Sequence, residues 1–172
     1  VCPARAIRSP LRTVWPRFTN SSLFEHKRSP SHWNGAQVGG FVAFKLIADI
    51  SNPRLIDLGT GSGIIAITLA AERPDSIVLA SDLSEQALAI AEHNATSHQL
   101  KNIQFLHSCW FDKIALSKFD LVISNPPYIN PADPHLLQGD VRFEPDSALS
   151  APKQGLQDIM LIAENSQQHL VS

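Results

Sequence analysis

The sequence predicts an α/β fold, a doubly wound and mainly parallel sheet with helices on both faces. From residue 38 onward, short apolar segments of strand length alternate with longer segments of helical period. The connections are short, and the first strand-like segment runs into a glycine-rich turn. Such alternation specifies βαβ units, in which crossover helices join parallel strands. The 172 residues suffice for one such domain.

Apolar periodicity and proline or glycine breakers define each element in turn. The first helix ends at Asn52-Pro53, because a proline pushes the residue before it out of the helical region. Ser84 is expected to cap the third helix, with Glu85 in its positively charged first turn. No fifth strand is predicted. The predicted elements are, in order, a helix over 38–51, a strand over Arg54–Leu58, a helix over Ile64–Arg73, a strand over Ile77–Ser81, a helix from Glu85 to about Ala95, strands over Ile103–His107 and Phe119–Ser124, and a helix over Gln154–Leu170.

Residues 1–35 differ from the rest of the chain. Residues 1–44 carry six Lys or Arg against one Glu, whereas residues 45–172 carry eight against fifteen acidic residues. The first 35 residues are rich in Arg, Ser and Pro and show no sustained apolar period. We interpret them as a basic tail, which could be a disordered arm, an organelle transit peptide or sequence foreign to the functional protein. Because the chain opens with Val1, we expect a fragment or an imperfect translation.

The composition indicates a soluble globular protein. It contains 44% hydrophobic residues, has a net charge of −2 and offers no apolar run long enough to cross a bilayer. Cys2 and Cys109 lie far apart and form no C-x-x-C pair. We therefore expect neither a disulfide framework nor a zinc site, and a cytoplasmic location. Histidine and carboxylate spacing predicts no other metal site.

The glycine turn after the first strand is a candidate cofactor loop. Gly59, Gly61 and Gly63 allow a ligand to approach the backbone, and the following helix presents free N–H groups and partial positive charge to an anion. Asp82 ends the second strand about twenty residues later, where a carboxylate can accept both hydroxyls of a ribose. Together these features predict an adenosine-containing ligand.

Two other interpretations of the turn compete with this one. The glycines could simply form a tight strand-to-helix connection. A dinucleotide oxidoreductase would carry G-x-G-x-x-G, but Ile64 occupies the place of the third glycine. The spacing G-x-G-x-G, preceded by the acidic Asp57, resembles the cofactor motif of class I methyltransferases. The ligand of those enzymes presents a methionine carboxylate and has no pyrophosphate.

A second candidate loop, Asn125-Pro126-Pro127-Tyr128, directly follows the fourth predicted strand. Two consecutive prolines fix the backbone before any ligand arrives, and their carbonyls lack competing local donors. Asn125 adds a side-chain oxygen, so the loop offers two acceptors to a planar NH2 group, and Tyr128 supplies a flat face. The alternative is a proline-rich turn with a structural asparagine. Ligands of parallel sheets bind where the strand order reverses, which predicts one crevice shared by both loops.

The chain resembles the HemK/PrmC family of release-factor glutamine methyltransferases from about Leu46 to its end. The motifs that carry the resemblance are Asp57-Leu58-Gly59-Thr60-Gly61-Ser62-Gly63, Asn125-Pro126-Pro127-Tyr128-Ile129, Asp133-Pro134-His135-Leu136 and residues 138–145, Gln-Gly-Asp-Val-Arg-Phe-Glu-Pro. The last two resemble the release-factor branch specifically. The resemblance implies a class I methyltransferase fold of Rossmann type over residues 36–172, with S-adenosylmethionine as the cofactor and a peptide chain release factor as the protein partner.

The resemblance also implies a role for each site residue. Asn125 would lie near both ligands, and its side-chain oxygen and the Pro126 carbonyl would accept the hydrogens of the substrate amide. Pro127 and Tyr128 would shape the substrate slot. The loop contains no obvious general base, so catalysis would rest on positioning. The cofactor-binding residues would be Gly59, Thr60, Gly61, Ser62 and Gly63 at the methionine part, Asp82 at the ribose, Trp110 at the adenine, and Asn125.

Several alternatives to a release-factor enzyme stay open. Relatives that modify a ribosomal protein also resemble the chain, although we expect a different sequence before their Glu-Pro. Nucleic-acid adenine methyltransferases share the N-P-P-Y loop but not the downstream motifs. The net charge of −7 over residues 45–172 disfavours direct nucleic-acid binding. The family's final strands are missing from the predicted elements, so we expect an open edge at the fourth strand, marginal stability and a domain that is incomplete. A truncated, non-catalytic cofactor-binding module is therefore the third alternative.

Overall fold

A computed structural model of the protein describes residues 42–126 and 156–171. Within these ranges four parallel strands form one sheet in the order β3-β2-β1-β4. Their bounds are β1 (Arg54–Leu58), β2 (Ile77–Asp82), β3 (Ile103–His107) and β4 (Leu121–Ser124). The predicted parallel sheet is confirmed, and three of its strands begin at the predicted residue.

The described helices are α1 (residues 42–46), α2 (Ile64–Glu72), α3 (Glu85–Ser97) and α4 (Leu156–His169). Ser84 caps α3 as expected, because its side-chain oxygen accepts a hydrogen bond from the Ala87 amide at 3.2 Å. Pro74 follows the end of α2, where a proline cannot continue a helix. The residue that the sequence marked as a stop signal therefore stands within two residues of the observed helix end.

Helices cover both faces of the sheet because successive β1 side chains point to opposite sides. Leu55 packs in one apolar cluster with residues of α1 and α2. Ile56 and Leu58 pack in a second cluster with Ile162 of α4 and with the segment between β3 and β4. The doubly wound architecture is thereby confirmed. The fully buried residues of β1, each with an exposed fraction of 0%, are Leu55, Ile56 and Leu58.

The order of the strands reverses at β1, which has β2 on one side and β4 on the other. Leu58 pairs with Ser81 of β2 and with Ser124 of β4, so all three strands end level with one another. The Ser124 hydroxyl donates to the Leu58 carbonyl at 2.7 Å and fixes the end of β4 against the end of β1. The loops that leave these two ends therefore start side by side at the reversal point.

Arg73 connects α2 to the segment that precedes β1, at the opposite end of the sheet. Its guanidinium donates to the carbonyls of Ile47 and Ile50 at 2.7 and 2.6 Å and pairs with Asp75 at 2.9 Å. The hydrogen bonds from Arg73 lower the pKa of the Asp75 carboxyl to about 2. These hydrogen bonds thus fix the segment after α1 to the end of α2, far from the glycine turn.

The start of β4 differs from the prediction. The strand begins at Leu121 rather than at Phe119, because the amide of Phe119 donates to the His169 carbonyl at 2.7 Å. Phe119 and Leu170 form an isolated parallel bridge, and the Val171 amide donates to the Phe119 carbonyl. The segment after α4 therefore begins to run beside the outer edge of β4, which was expected to be open.

The predicted tail over residues 1–35 and the motifs beyond Pro126 as far as residue 155 lie outside the described residues. In the part of the chain that the structure describes, no helix is long and apolar enough to span a membrane.

Candidate cofactor and active site

The glycine turn connects β1 to α2 through backbone angles that favour glycine. Gly59, Gly61 and Gly63 have φ values of 70°, 59° and 85°, all in the left-handed region. The amides of Gly59 and Thr60 both donate to the Ser81 carbonyl, at 2.8 and 2.9 Å. The turn is thus fixed to the end of β2, and its glycines are required by backbone conformation as well as by any ligand.

The space around the turn differs from one glycine to the next. A Cβ atom at Gly63 would lie 2.9 Å from the Ala91 Cβ and 2.8 Å from the Ile67 Cδ1, so this glycine permits close packing of the turn on α3. A Cβ atom at Gly61 would meet nothing within 4 Å. Gly63 therefore faces the protein, and Gly61 faces open space.

The backbone around Gly61 leaves several hydrogen-bond donors for a ligand. Among the described residues, the amides of Ser62, Ile64 and Ile65 have no acceptor. Two of these groups belong to the first turn of α2, where the helix dipole adds partial positive charge. Unpaired amides beside a glycine that faces open space can bind the carboxylate of an amino-acid group. The turn therefore fits the methionine part of S-adenosylmethionine.

Asp82 lies beside the turn, at the carboxyl end of β2. One of its carboxylate oxygens accepts from the Gly61 amide and the other from the Ser84 amide, both at 2.8 Å. Each carboxylate oxygen has two acceptor positions, so one remains on each for a ligand hydroxyl. The prediction that Asp82 holds a ribose stays a prediction, and the structure adds that Asp82 also shapes the turn.

Asp57 lies beneath the turn with an exposed fraction of only 1%. Its Oδ2 accepts from the Thr60 hydroxyl at 2.7 Å, whereas its Oδ1 has no hydrogen-bond partner among the described residues. Burial raises the pKa of Asp57 to about 6, although hydrogen bonds from Thr60 and from the Ala66 backbone oppose the rise. The sequence marked Asp57 as part of the motif and as part of a buried strand.

Trp110 covers the other side of the turn. A Cβ atom at Gly59 would lie 3.2 Å from the Trp110 Cζ3. Trp110 has a φ of 44°, and its carbonyl accepts from the buried Ser108 hydroxyl, which in turn accepts from the Lys113 amide. Ser108 therefore holds the loop that places the indole beside Gly59. The structure puts Trp110 at the predicted crevice, and its contact with adenine stays a prediction.

Asn125 and Pro126 leave the end of β4 beside the glycine turn. Asn125 directly follows Ser124, and Gly59 directly follows Leu58, the partner of Ser124 in the sheet. Neighbouring strands lie about 5 Å apart, so the two loops begin within reach of a single small molecule. Asn125 is exposed and Pro126 is half-buried. Pro127 and Tyr128 lie outside the described residues.

Comparison with known proteins assigns this arrangement to a family. The sequence profile of the methyltransferase small domain matches residues 40–138, which is more than half of the chain and includes both loops. The chain belongs to the methyltransferase small domain family. Its resemblance to HemK/PrmC enzymes is confirmed by two release factor glutamine methyltransferases. The protein from Salmonella typhimurium is 50% identical over 117 residues, and that from Escherichia coli is 50% identical over 119 residues. A relative of the same name from Xylella fastidiosa is 46% identical over 128 residues.

The matches differ in how much of each protein they cover. They include 68%, 69% and 74% of this chain but 42%, 43% and 46% of the relatives, so the chain spans less than half of their length. A solved structure, TrmN from Thermus thermophilus, is 30% identical with a TM-score of 0.46, over 52% of this chain and 27% of that one. S-adenosylmethionine is the cofactor of this methyltransferase family, in agreement with the predicted ligand.

Proposed function

We propose that the protein transfers a methyl group from S-adenosylmethionine to the side-chain amide nitrogen of a glutamine in a peptide chain release factor. The observation that carries the proposal is the start of two loops at one point of the sheet, where Leu58 and Ser124 pair. One loop has the geometry of an amino-acid cofactor site, and the other begins with the acceptors Asn125 and Pro126. The similarity to release factor glutamine methyltransferases supports the choice of substrate.

The residues of the glycine turn would bind and orient the cofactor. The amides of Ser62, Ile64 and Ile65 would receive its carboxylate, and the free acceptor positions of Asp82 would receive ribose hydroxyls. Trp110 would close the side of the crevice next to Gly59. When bound, S-adenosylmethionine supplies an electrophilic methyl group.

Asn125 and Pro126 would hold the substrate amide. The Asn125 side-chain oxygen and the Pro126 carbonyl would each accept one hydrogen of the NH2 group, which fixes its orientation in the crevice. These acceptors favour the partial positive charge that develops on the nitrogen, and a proton then leaves to solvent. The predicted slot residues Pro127 and Tyr128 would complete this site.

Charge at the crevice supports a protein substrate over a nucleic acid. Asp82 is the last residue of β2, Glu85 is the first residue of α3, and Asp112 lies in the loop after β3. All three are at the edge of the sheet that carries the glycine turn. Phosphate groups would be repelled by these carboxylates, whereas a neutral glutamine amide would not. We therefore expect no direct binding of nucleic acid, and we propose that the protein acts on its release factor in the cytoplasm.

Transfer of a labelled methyl group tests the proposal. The protein is incubated with S-adenosylmethionine labelled in the methyl group and with a release factor, a release factor whose substrate glutamine is replaced by glutamate, a ribosomal protein fraction, or duplex DNA. We expect label only in the release factor that keeps its substrate glutamine. Label in DNA or in the ribosomal fraction alone would support the corresponding alternative. Binding of S-adenosylhomocysteine without transfer to any substrate would support the non-catalytic module.

Replacement of Asn125 tests the substrate site. Asn125→Ala removes one of the two proposed acceptors, and we expect the rate of methyl transfer to fall about a hundredfold or more. Asn165→Ala is the control, since the Asn165 amide bonds only to Leu161 of its own helix α4 among the described residues. We expect the control to keep its rate. Near-normal turnover in Asn125→Ala would contradict the assignment.

A further inference from the structure

Asn94 of α3 contacts the glycine turn from outside the crevice. Its Nδ2 donates to the Ser62 carbonyl at 3.0 Å, across 32 residues of sequence and in a partly buried position. We propose that Asn94 is a positioning residue for cofactor binding, which holds the peptide between Ser62 and Gly63 so that the amides of the turn face the crevice. The proposal rests on the proposed function only through its cofactor.

The contact belongs to a close approach between α3 and the turn. Ala91 lies three residues before Asn94, on the same face of the helix. A Cβ atom at Gly63 would lie 2.9 Å from the Ala91 Cβ, so only this methyl group separates the helix backbone from the turn. Because of this close approach, a side chain as short as that of Asn94 can reach the Ser62 carbonyl.

Asn94 supplies one of two hydrogen bonds that hold the peptide between Ser62 and Gly63. A peptide unit is planar, so a fixed Ser62 carbonyl also fixes the direction of the Gly63 amide, which donates to the Thr60 carbonyl at 2.9 Å. Gly63 accepts many backbone angles, because it has no Cβ atom. Without the Asn94 donor, only the hydrogen bond from the Gly63 amide to the Thr60 carbonyl holds this unit. Other orientations then gain population, and cofactor binding must select the competent one.

Asn102 provides a matched control, because it bonds to the other end of α2. Its Nδ2 donates to the carbonyls of Ala70 and Arg73, at 3.0 and 3.1 Å, near the carboxyl end of α2. Both asparagines thus bond to main-chain carbonyls at an end of α2, but only Asn94 contacts the cofactor turn. If Asn94 only stabilised the fold, Asn94→Ala would behave like Asn102→Ala.

The test measures S-adenosylhomocysteine binding by calorimetry, together with the thermal midpoint of unfolding. Asn94→Ala and Asn94→Asp both remove the donor, and we expect the dissociation constant to rise about five- to tenfold, as for the loss of one hydrogen bond. The rate at saturating cofactor should stay close to that of the wild type, with the change confined to KM. Asn102→Ala should lower the thermal midpoint and leave the dissociation constant within about twofold.

Two results would overturn the inference. One is a dissociation constant for Asn94→Ala within about twofold of the wild-type value, and the other is an equal loss of affinity in Asn102→Ala. Wild-type protein that binds no S-adenosylhomocysteine would overturn the proposed function as well. Wild-type binding combined with unchanged binding in Asn94→Ala would overturn the role of Asn94 alone.

Discussion

Asp57 is a carboxylate that the fold buries beneath the glycine turn. Its Oδ2 is paired with the Thr60 hydroxyl and its Oδ1 is unpaired, so the ionised group keeps little of the hydration that it has in the unfolded chain. Burial therefore raises its pKa to about 6. The Thr60 hydrogen bond shows that the carboxylate also orders the turn. This bond offsets part of the free energy that is lost when the carboxylate is dehydrated.

The raised pKa of Asp57 predicts a stability that falls with rising pH. The contribution is fully present below the unfolded pKa of 3.8 and is lost as the pH passes the folded value of about 6. Asp57→Asn removes the titration, so the stability of this variant relative to wild type should increase between pH 4 and pH 7 by roughly 2–3 kcal/mol. Urea unfolding at each pH measures it, and parallel pH profiles would contradict the prediction.

Asp75 supplies the control for this experiment because its shift has the opposite sign. Its pKa is lowered to about 2 by hydrogen bonds from Arg73, so its contribution is present above 3.8 and is lost only as the pH falls toward 2. Asp75→Asn should therefore leave the shape of the profile between pH 4 and pH 7 unchanged.

Residue-level prediction from the sequence succeeded where a motif fixes the backbone. Gly59, Gly61 and Gly63 were predicted to form a turn between a strand and a helix, and all three have positive φ. Asn94 was missed, because a lone asparagine in an amphipathic helix carries no signal of the carbonyl that it meets 32 residues away. The roles of the individual site residues stay predictions.

At the scale of elements, the glycine turn and α3 form one packed unit. The turn contacts α3 at Gly63 and the end of β2 through Ser81 and Asp82. Its shape therefore depends on two other elements of the domain. Substitutions at different glycines should consequently lower the free energy of unfolding by different amounts, although all three glycines have positive φ.

Gly63→Ala and Gly61→Ala form a matched pair that tests this packing. Both place a side chain at positive φ, which costs about 1–2 kcal/mol. Only Gly63→Ala also forces a Cβ atom against Ala91 and Ile67, for a total of about 2–5 kcal/mol. Chemical denaturation should show the larger loss in Gly63→Ala. Equal losses in the two variants would show that α3 does not pack on the turn as described.

At the scale of the molecule, local sequence signals predicted most of the described elements. The stop signal at Pro74 and the cap at Ser84 placed the end of α2 and the start of α3 to within two residues. The stop at Pro53 was less accurate, because α1 ends at residue 46. The start of β4 was missed because Phe119 pairs with Leu170, about fifty residues away, and no local pattern contains such a contact. The proposed domain boundary at residue 36 lies outside the described residues and stays a prediction.

One placement supports the whole account: the glycine turn and the start of the Asn125 loop open on the same crevice, beside the paired residues Leu58 and Ser124. Hydrogen exchange with and without S-adenosylhomocysteine tests it most directly. We predict slower exchange in peptides covering residues 59–65 and 121–125, with no change in residues 73–77 at the opposite end of the sheet. Protection of residues 73–77, or of the turn without the end of β4, would contradict the shared crevice.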